Sequence, residues 1–180
     1  MNVYFKNILR FCLIVILQVF ILNKITLHWF TEPAGALFVP FVYPLFIILL
    51  PFETPVWALL FSGFLLGVTV DIFMTTAGIH ACAMVLIAYL RTNVLNALMP
   101  RDLDEYMHQQ PSIKNMGWVP FLVYSGFLIL LHHLVYFVIE SWSFSSFGSL
   151  MLKVVASFVT SMLFILAYIL LFTRPNKIRG

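Results

Sequence analysis

Gly63-Phe-Leu-Leu-Gly67-Val-Thr-Val-Asp71 is the stretch on which the fold turns. It lies inside a long apolar run, continues through Ile72 to Ala77, and is followed by Gly78-Ile-His80 and a second apolar run to Tyr89-Leu-Arg91. An aspartate at the centre of a lipid-embedded helix costs roughly 2.5–3.5 kcal/mol on the mildest scale, so it should face protein or water. Gly63, Gly67 and Asp71 are spaced i, i+4, i+8 and fall on one helical stripe. The glycines make part of that stripe flat enough for a second helix to approach closely. The aspartate at its end needs a partner.

Composition supplies the solvent for that helix. The 180 residues are 62% hydrophobic and 9% charged, and mean hydropathy is +1.02. Soluble domains run at about 45–50% apolar and about 25% charged, so this much apolar surface calls for lipid. The net charge of +3 is carried at the ends of apolar runs rather than on a basic stripe with interleaved aromatics, which excludes nucleic-acid binding. Cys12 and Cys82 lie far apart inside apolar runs; they are expected to be free thiols, with neither a disulfide nor a metal motif. Lys6 and Arg10 precede the run Phe11–Leu22 as in a signal peptide, but Asn23-Lys24-Ile25 follows where small residues would mark cleavage. An uncleaved first span is expected.

A helix needs about 20 apolar residues to cross the hydrocarbon core. Six segments qualify: 8–27, 34–52, 55–74, 79–98, 119–139 and 150–172. The second contains Pro40 and Pro44 and closes at Pro51, so it should be short or kinked. Pro55 suits the start of the third. Phe52-Glu53-Thr54 is a tight connection that makes spans two and three an antiparallel hairpin. With six crossings, one side collects Lys6, Arg10, Arg91, Arg101, Lys114, Arg174, Lys177 and Arg179, and the other only Lys24 and Lys153. The positive-inside rule then puts both termini in the cytoplasm. Arg91 falls inside the fourth run, from which its long side chain is expected to snorkel to the interface. Trp29, Trp57, Trp118 and Trp142 each fall near a span end, as an interfacial belt would. The polar stretch 100–115 reads as a solvated loop with an interfacial turn at 102–108, or as a cytoplasmic docking surface. No repeat or second domain is visible, so the chain reads as one six-span domain over 1–180.

This orientation gathers Asp71, His80, His132, His133, Tyr136, Glu140 and Lys153 in the outer half of the bundle. His132, Tyr136 and Glu140 share one stripe by their spacing. Three arrangements fit these residues. In a structural network, Asp71 or Glu140 pairs with Lys153 and the histidines bond across helices. A second is an outward cleft for a partner or ligand. The third is a metal site from His80, His132 and a carboxylate, against which stands the absence of any His-x-x-x-His or Glu-x-x-His pair within the apolar runs. Asp71 has no second intramembrane aspartate, and Ser62, Ser125 and Ser157 lack a nucleophile-elbow or base pattern, so no enzymatic activity and no cofactor are expected. A proton relay through Asp71 and His80 would suit a transporter, but the weak second span has no counterpart in the other half of the chain.

Pro40-Phe-Val-Tyr43-Pro44 through Pro51-Phe-Glu, then Gly63 to Phe73, Gly78-Ile-His80-Ala-Cys-Ala and Ile87-Ala-Tyr89-Leu-Arg91 together resemble the rod shape-determining MreD family. That family has a proline-marked second span, a Gly-Leu-x-x-Asp segment closing the third, a short glycine turn and a fourth span ending Ala-Tyr-Leu. His132-His133-x-x-Tyr136 is similar to one branch of it. Ala77 departs from the proline that many members carry before the glycine. The resemblance implies an all-α, six-helix inner-membrane protein of the bacterial cell-elongation machinery. Its fold would be similar to the S-component of energy-coupling-factor vitamin transporters. It further implies a non-catalytic scaffold that binds MreC and, through it, connects to MreB, RodA and the elongation transpeptidase. The Gly63/Gly67/Asp71 face with Gly78, His80 and Arg91, or the outer cleft of His132, Tyr136, Glu140 and Lys153, would receive the partner or pack the bundle. The competing expectation is a small-molecule-binding, S-component-like protein.

Overall fold

Three prolines set the shape of the N-terminal third. The computed structural model describes residues 3–24, 39–99, 106, 109–141 and 147–172. Helix α1, Val3–Ile16, runs on through a π turn, Leu17–Ile21, and a 3-10 turn, Leu22–Lys24. From 39 to 55 the chain is irregular apart from one helical turn, α2, Leu45–Ile48. The remaining elements are α3 Val56–Met74, α4 Ile79–Leu98, α5 Ile113–Met116, α6 Trp118–Ser141 and α7 Phe147–Phe172. No strand occurs among the described residues. Four helices, α3, α4, α6 and α7, are long and apolar enough to cross a membrane. They coincide with the third to sixth expected spans.

The second expected segment is short as a helix, as its prolines lead one to expect, and shorter than a membrane crossing. Between 39 and 52 only Leu45–Ile48 is helical, because Pro40, Pro44 and Pro51 cannot donate to an i−4 carbonyl and clash with the preceding turn. The segment is nonetheless among the most buried in the protein, with Phe41, Tyr43, Leu45, Ile47 and Ile48 at 0% exposure. Irregular backbone at such depth is tolerated only where protein surrounds it and satisfies its polar groups. The first segment is helical throughout its described part, yet its apolar portion, Asn7–Ile21, is shorter than a full span. Trp29, residues 34–38, most of 100–108, Trp142 and the basic tail from Arg174 lie outside the described residues. Trp57 and Trp118 are exposed at the starts of α3 and α6.

Helix α3 is apolar all round, so hydrophobic periodicity does not choose its buried face. Size chooses it instead. Leu59, Gly63, Leu66, Gly67, Val70 and Asp71 point inward, while Phe61, Phe64, Ile72 and Phe73 point out. The inward glycines let α4 come so close that a Cβ on Gly67 would lie 2.3 Å from the Ala81 Cα, and one on Gly63 3.1 Å from the Met84 carbonyl oxygen. Helices α3 and α4 share the most extensive contact, followed by α4 with α6 and α6 with α7.

Candidate functional site

Helix α4 begins at Gly78, whose φ of +82° no other residue adopts cheaply and which has no side chain to cap the helix. Its first N–H groups would be orphans at depth. Asp71, one turn from the end of α3, supplies the cap from the neighbouring helix. Its Oδ1 accepts from the His80 N–H at 3.1 Å and its Oδ2 from the Ala81 N–H at 2.9 Å. The Thr76 hydroxyl also donates to Oδ1 at 2.5 Å. A carboxylate on a helix N-terminus gains both charge-assisted hydrogen bonds and the helix dipole. Of the two carboxylates expected to pair with Lys153, Asp71 instead binds the backbone of α4 and Thr76, and Glu140 is the one within electrostatic range of that lysine. The glycine stripe is filled by α4 as well, so it packs the bundle and presents no free face for another chain.

Tyr43 forms the centre of the polar interior. Its hydroxyl lies 2.7 Å from His80 Nδ1 and 2.5 Å from His132 Nε2, which joins the irregular segment to α4 and α6. One phenol proton serves two contacts, so with neutral rings one imidazole must present N–H and the other a lone pair. Their far nitrogens, His80 Nε2 and His132 Nδ1, then have opposite character; both are buried without a hydrogen-bond partner among the described residues. His133 points elsewhere. Its Nδ1 donates to the Ile129 carbonyl at 2.7 Å, so its Nε2, when the ring is neutral, accepts from Ser161 Oγ at 3.0 Å. Phe41 lies among these rings, 5.3 Å from His80, 5.3 Å from His133 and 4.7 Å from Tyr136.

The same logic accounts for the backbone of the irregular segment. Ser161 Oγ accepts from the Phe41 N–H at 2.8 Å, and Ser157 Oγ from the Val39 N–H at 3.0 Å. Gln18, in the π turn, donates to the Pro40 carbonyl at 3.1 Å and accepts from the Val42 N–H at 2.8 Å. Tyr124 donates to the Ile48 carbonyl at 3.0 Å. Arg91 donates to the carbonyls of Leu50 and of Pro51. Arg91 is fully buried, which corrects the expected snorkelling: the proline-terminated turn exposes carbonyls on the inside, and the guanidinium turns toward them. Its Nε and Nη1 find no acceptor among the described residues.

The expected outer cleft divides. His132 and Tyr136 are buried, whereas Glu140 is exposed. Tyr136 donates to Glu140 at 3.5 Å, and Lys153 lies within electrostatic range of that carboxylate. Cys12 and Cys82 are free and exposed. No three His, Cys, Asp or Glu side chains converge as a metal would need among the described residues. Sequence reasoning passed over Gln18, Tyr43 as a hydroxyl donor, Ser161 and Tyr124. Their signal was indirect: prolines in a buried segment leave backbone groups unpaired, and polar residues elsewhere in the apolar runs must meet them. Comparison with protein-family models, curated proteins and solved structures finds no match. The arrangement is therefore read from its chemistry: a bundle whose deep polar groups mostly bind its own backbone and one another.

Proposed function

We propose that this chain is a non-catalytic membrane scaffold of the bacterial cell-elongation machinery, similar to MreD and binding MreC. In this reading it lies in the inner membrane with both termini cytoplasmic, and the irregular second segment completes a six-pass bundle of the S-component kind. MreB, RodA and the elongation transpeptidase are engaged indirectly. One observation carries the proposal: Asp71, Arg91, Gln18, His133 and Ser161 are all directed to the chain's own backbone, which is how a rigid packing element uses polar residues. The partner then meets outward apolar faces such as that of Phe61, Phe64 and Phe73. Depletion should round rod-shaped cells, and MreC should co-purify in detergent. Unchanged rods after clean depletion would refute the assignment.

A second reading is favoured by one feature. The Tyr43-bridged histidines keep two buried nitrogens of opposite character without a partner among the described residues, and they adjoin irregular backbone at depth. Transporter substrate sites use such broken segments. A small-molecule-binding, S-component-like protein would show ligand-dependent thermal stabilisation that is lost in Tyr43→Phe. Purified protein that no candidate ligand stabilises argues for the scaffold.

A further inference from the structure

A pocket of about 120 Å³ opens between α1, α6, α7 and the segment before α5. Arg10, Gln110, Ser112 and Tyr168 contribute its polar lining, and Leu49 and Phe121 its apolar wall. Ligand sites for drug-sized molecules run at about 300–1,000 Å³, so this one suits a single small group. Arg10 is held in place rather than swinging free: Nη1 donates to the Leu49 carbonyl at 3.2 Å and Nη2 to Gln110 Oε1 at 2.9 Å. Both acceptors are neutral, so among the described residues the charge is oriented but not cancelled. No described residue lining the pocket is acidic.

The opposite wall is equally fixed. Ser112 Oγ accepts from the Asn115 N–H at 3.3 Å, which leaves the hydroxyl proton to point elsewhere. Asn115 Nδ2 donates to the Gln110 carbonyl at 2.8 Å, and the Gln109 carbonyl accepts from the Phe52 N–H at 3.0 Å. Lys114, exposed two residues beyond Ser112, adds a positive charge to the same segment. One turn farther into the bundle from Arg10 and Tyr168, Leu13 on α1 and Phe164 on α7 are exposed and apolar.

The geometry points to a binding site for the phosphate group of an anionic lipid, with the phosphate against Arg10 and Ser112 and the acyl chains along Leu13 and Phe164. Basic pockets between membrane helices recognise lipid headgroups by this combination of charge and adjacent apolar surface. Arginine offers the fixed donor fork that phosphate oxygens match. The apolar path beside the pocket favours a lipid over free phosphate. This site is independent of the scaffold reading.

The test uses the full-length protein purified in detergent, with dioctanoyl phosphatidylglycerol, dioctanoyl phosphatidylcholine and inorganic phosphate as probes. Binding is read by native mass spectrometry and thermal unfolding. Gln110→Glu keeps the Arg10 hydrogen bond and cancels its charge; Ser112→Asp keeps a good helix cap and places a negative charge in the pocket. Phosphatidylglycerol should stay bound and raise the unfolding temperature of the wild type. Each variant should fold, melt near the wild-type temperature without lipid, and bind about tenfold more weakly or worse. Equal protection by inorganic phosphate would overturn the lipid assignment in favour of a soluble anion. Equal retention of phosphatidylglycerol by wild type and folded variants, or no retention by any of them, would overturn the site.

Discussion

Asp71 illustrates how one residue can be legible in kind but not in partner. Its burial followed from the expense of a carboxylate in hydrocarbon, and it is indeed 5% exposed. Its partner did not follow, because a backbone N–H carries no sequence signature and Lys153 does. Asp71→Asn keeps one acceptor for the α4 N-terminus and should destabilise by about 1 kcal/mol; Asp71→Leu orphans two buried donors and should destabilise by about 3 kcal/mol. Unfolding in detergent measures the difference, and equal losses would refute the capping role. Arg91 teaches the same lesson in reverse. Its position near a helix end reads as snorkelling, and only the three-dimensional placement of the Leu50 and Pro51 carbonyls reveals why it turns inward.

At the scale of elements, the α3–α4 hairpin was the most readable part. Its glycines announce a close helix contact, and Gly78 announces the turn. Gly67→Ala must displace backbone, since the nearest atom is the Ala81 Cα, and should cost about 2 kcal/mol or more. Gly63→Ala meets a looser neighbour and should cost less. Gly78→Ala meets no atom within 4 Å, so its cost of about 1 kcal/mol comes from φ alone. An order of Gly67, Gly63 and Gly78 other than this, with Gly67 not the most damaging, would contradict the packing. The segment 39–52 was the least readable element. Its hydropathy matches a span and its prolines forbid a regular helix, but the side chains that replace the helical hydrogen bonds come from α1, α4, α6 and α7, far away in sequence. Gln18→Leu should therefore unfold this segment first, costing about 2 kcal/mol. Faster hydrogen exchange at Val42 and Tyr43 than at α4 amides would report it; unchanged exchange would remove Gln18 from the account.

For the whole molecule, composition pointed to lipid, in keeping with four helices long and apolar enough to cross a membrane, and charge placement yields the topology proposed above. Fusions of alkaline phosphatase after Gln110 and at both termini should be inactive, and one within 142–146 active; an active C-terminal fusion would overturn the topology. The interior bears on function more directly. If the polar groups hold the chain together, the bundle core is closed to reagents from outside; if they form a ligand cleft, it is open. Val42, Ala83 and Ala88 are each 2% exposed or less and small enough to become cysteine in a background where Cys12 and Cys82 are serine. Labelling of these positions by a membrane-impermeant thiol reagent in intact protein, with Gln109→Cys as the accessible control, decides between the two. The scaffold account predicts that only the control reacts; rapid labelling at 42 or 83 would contradict it.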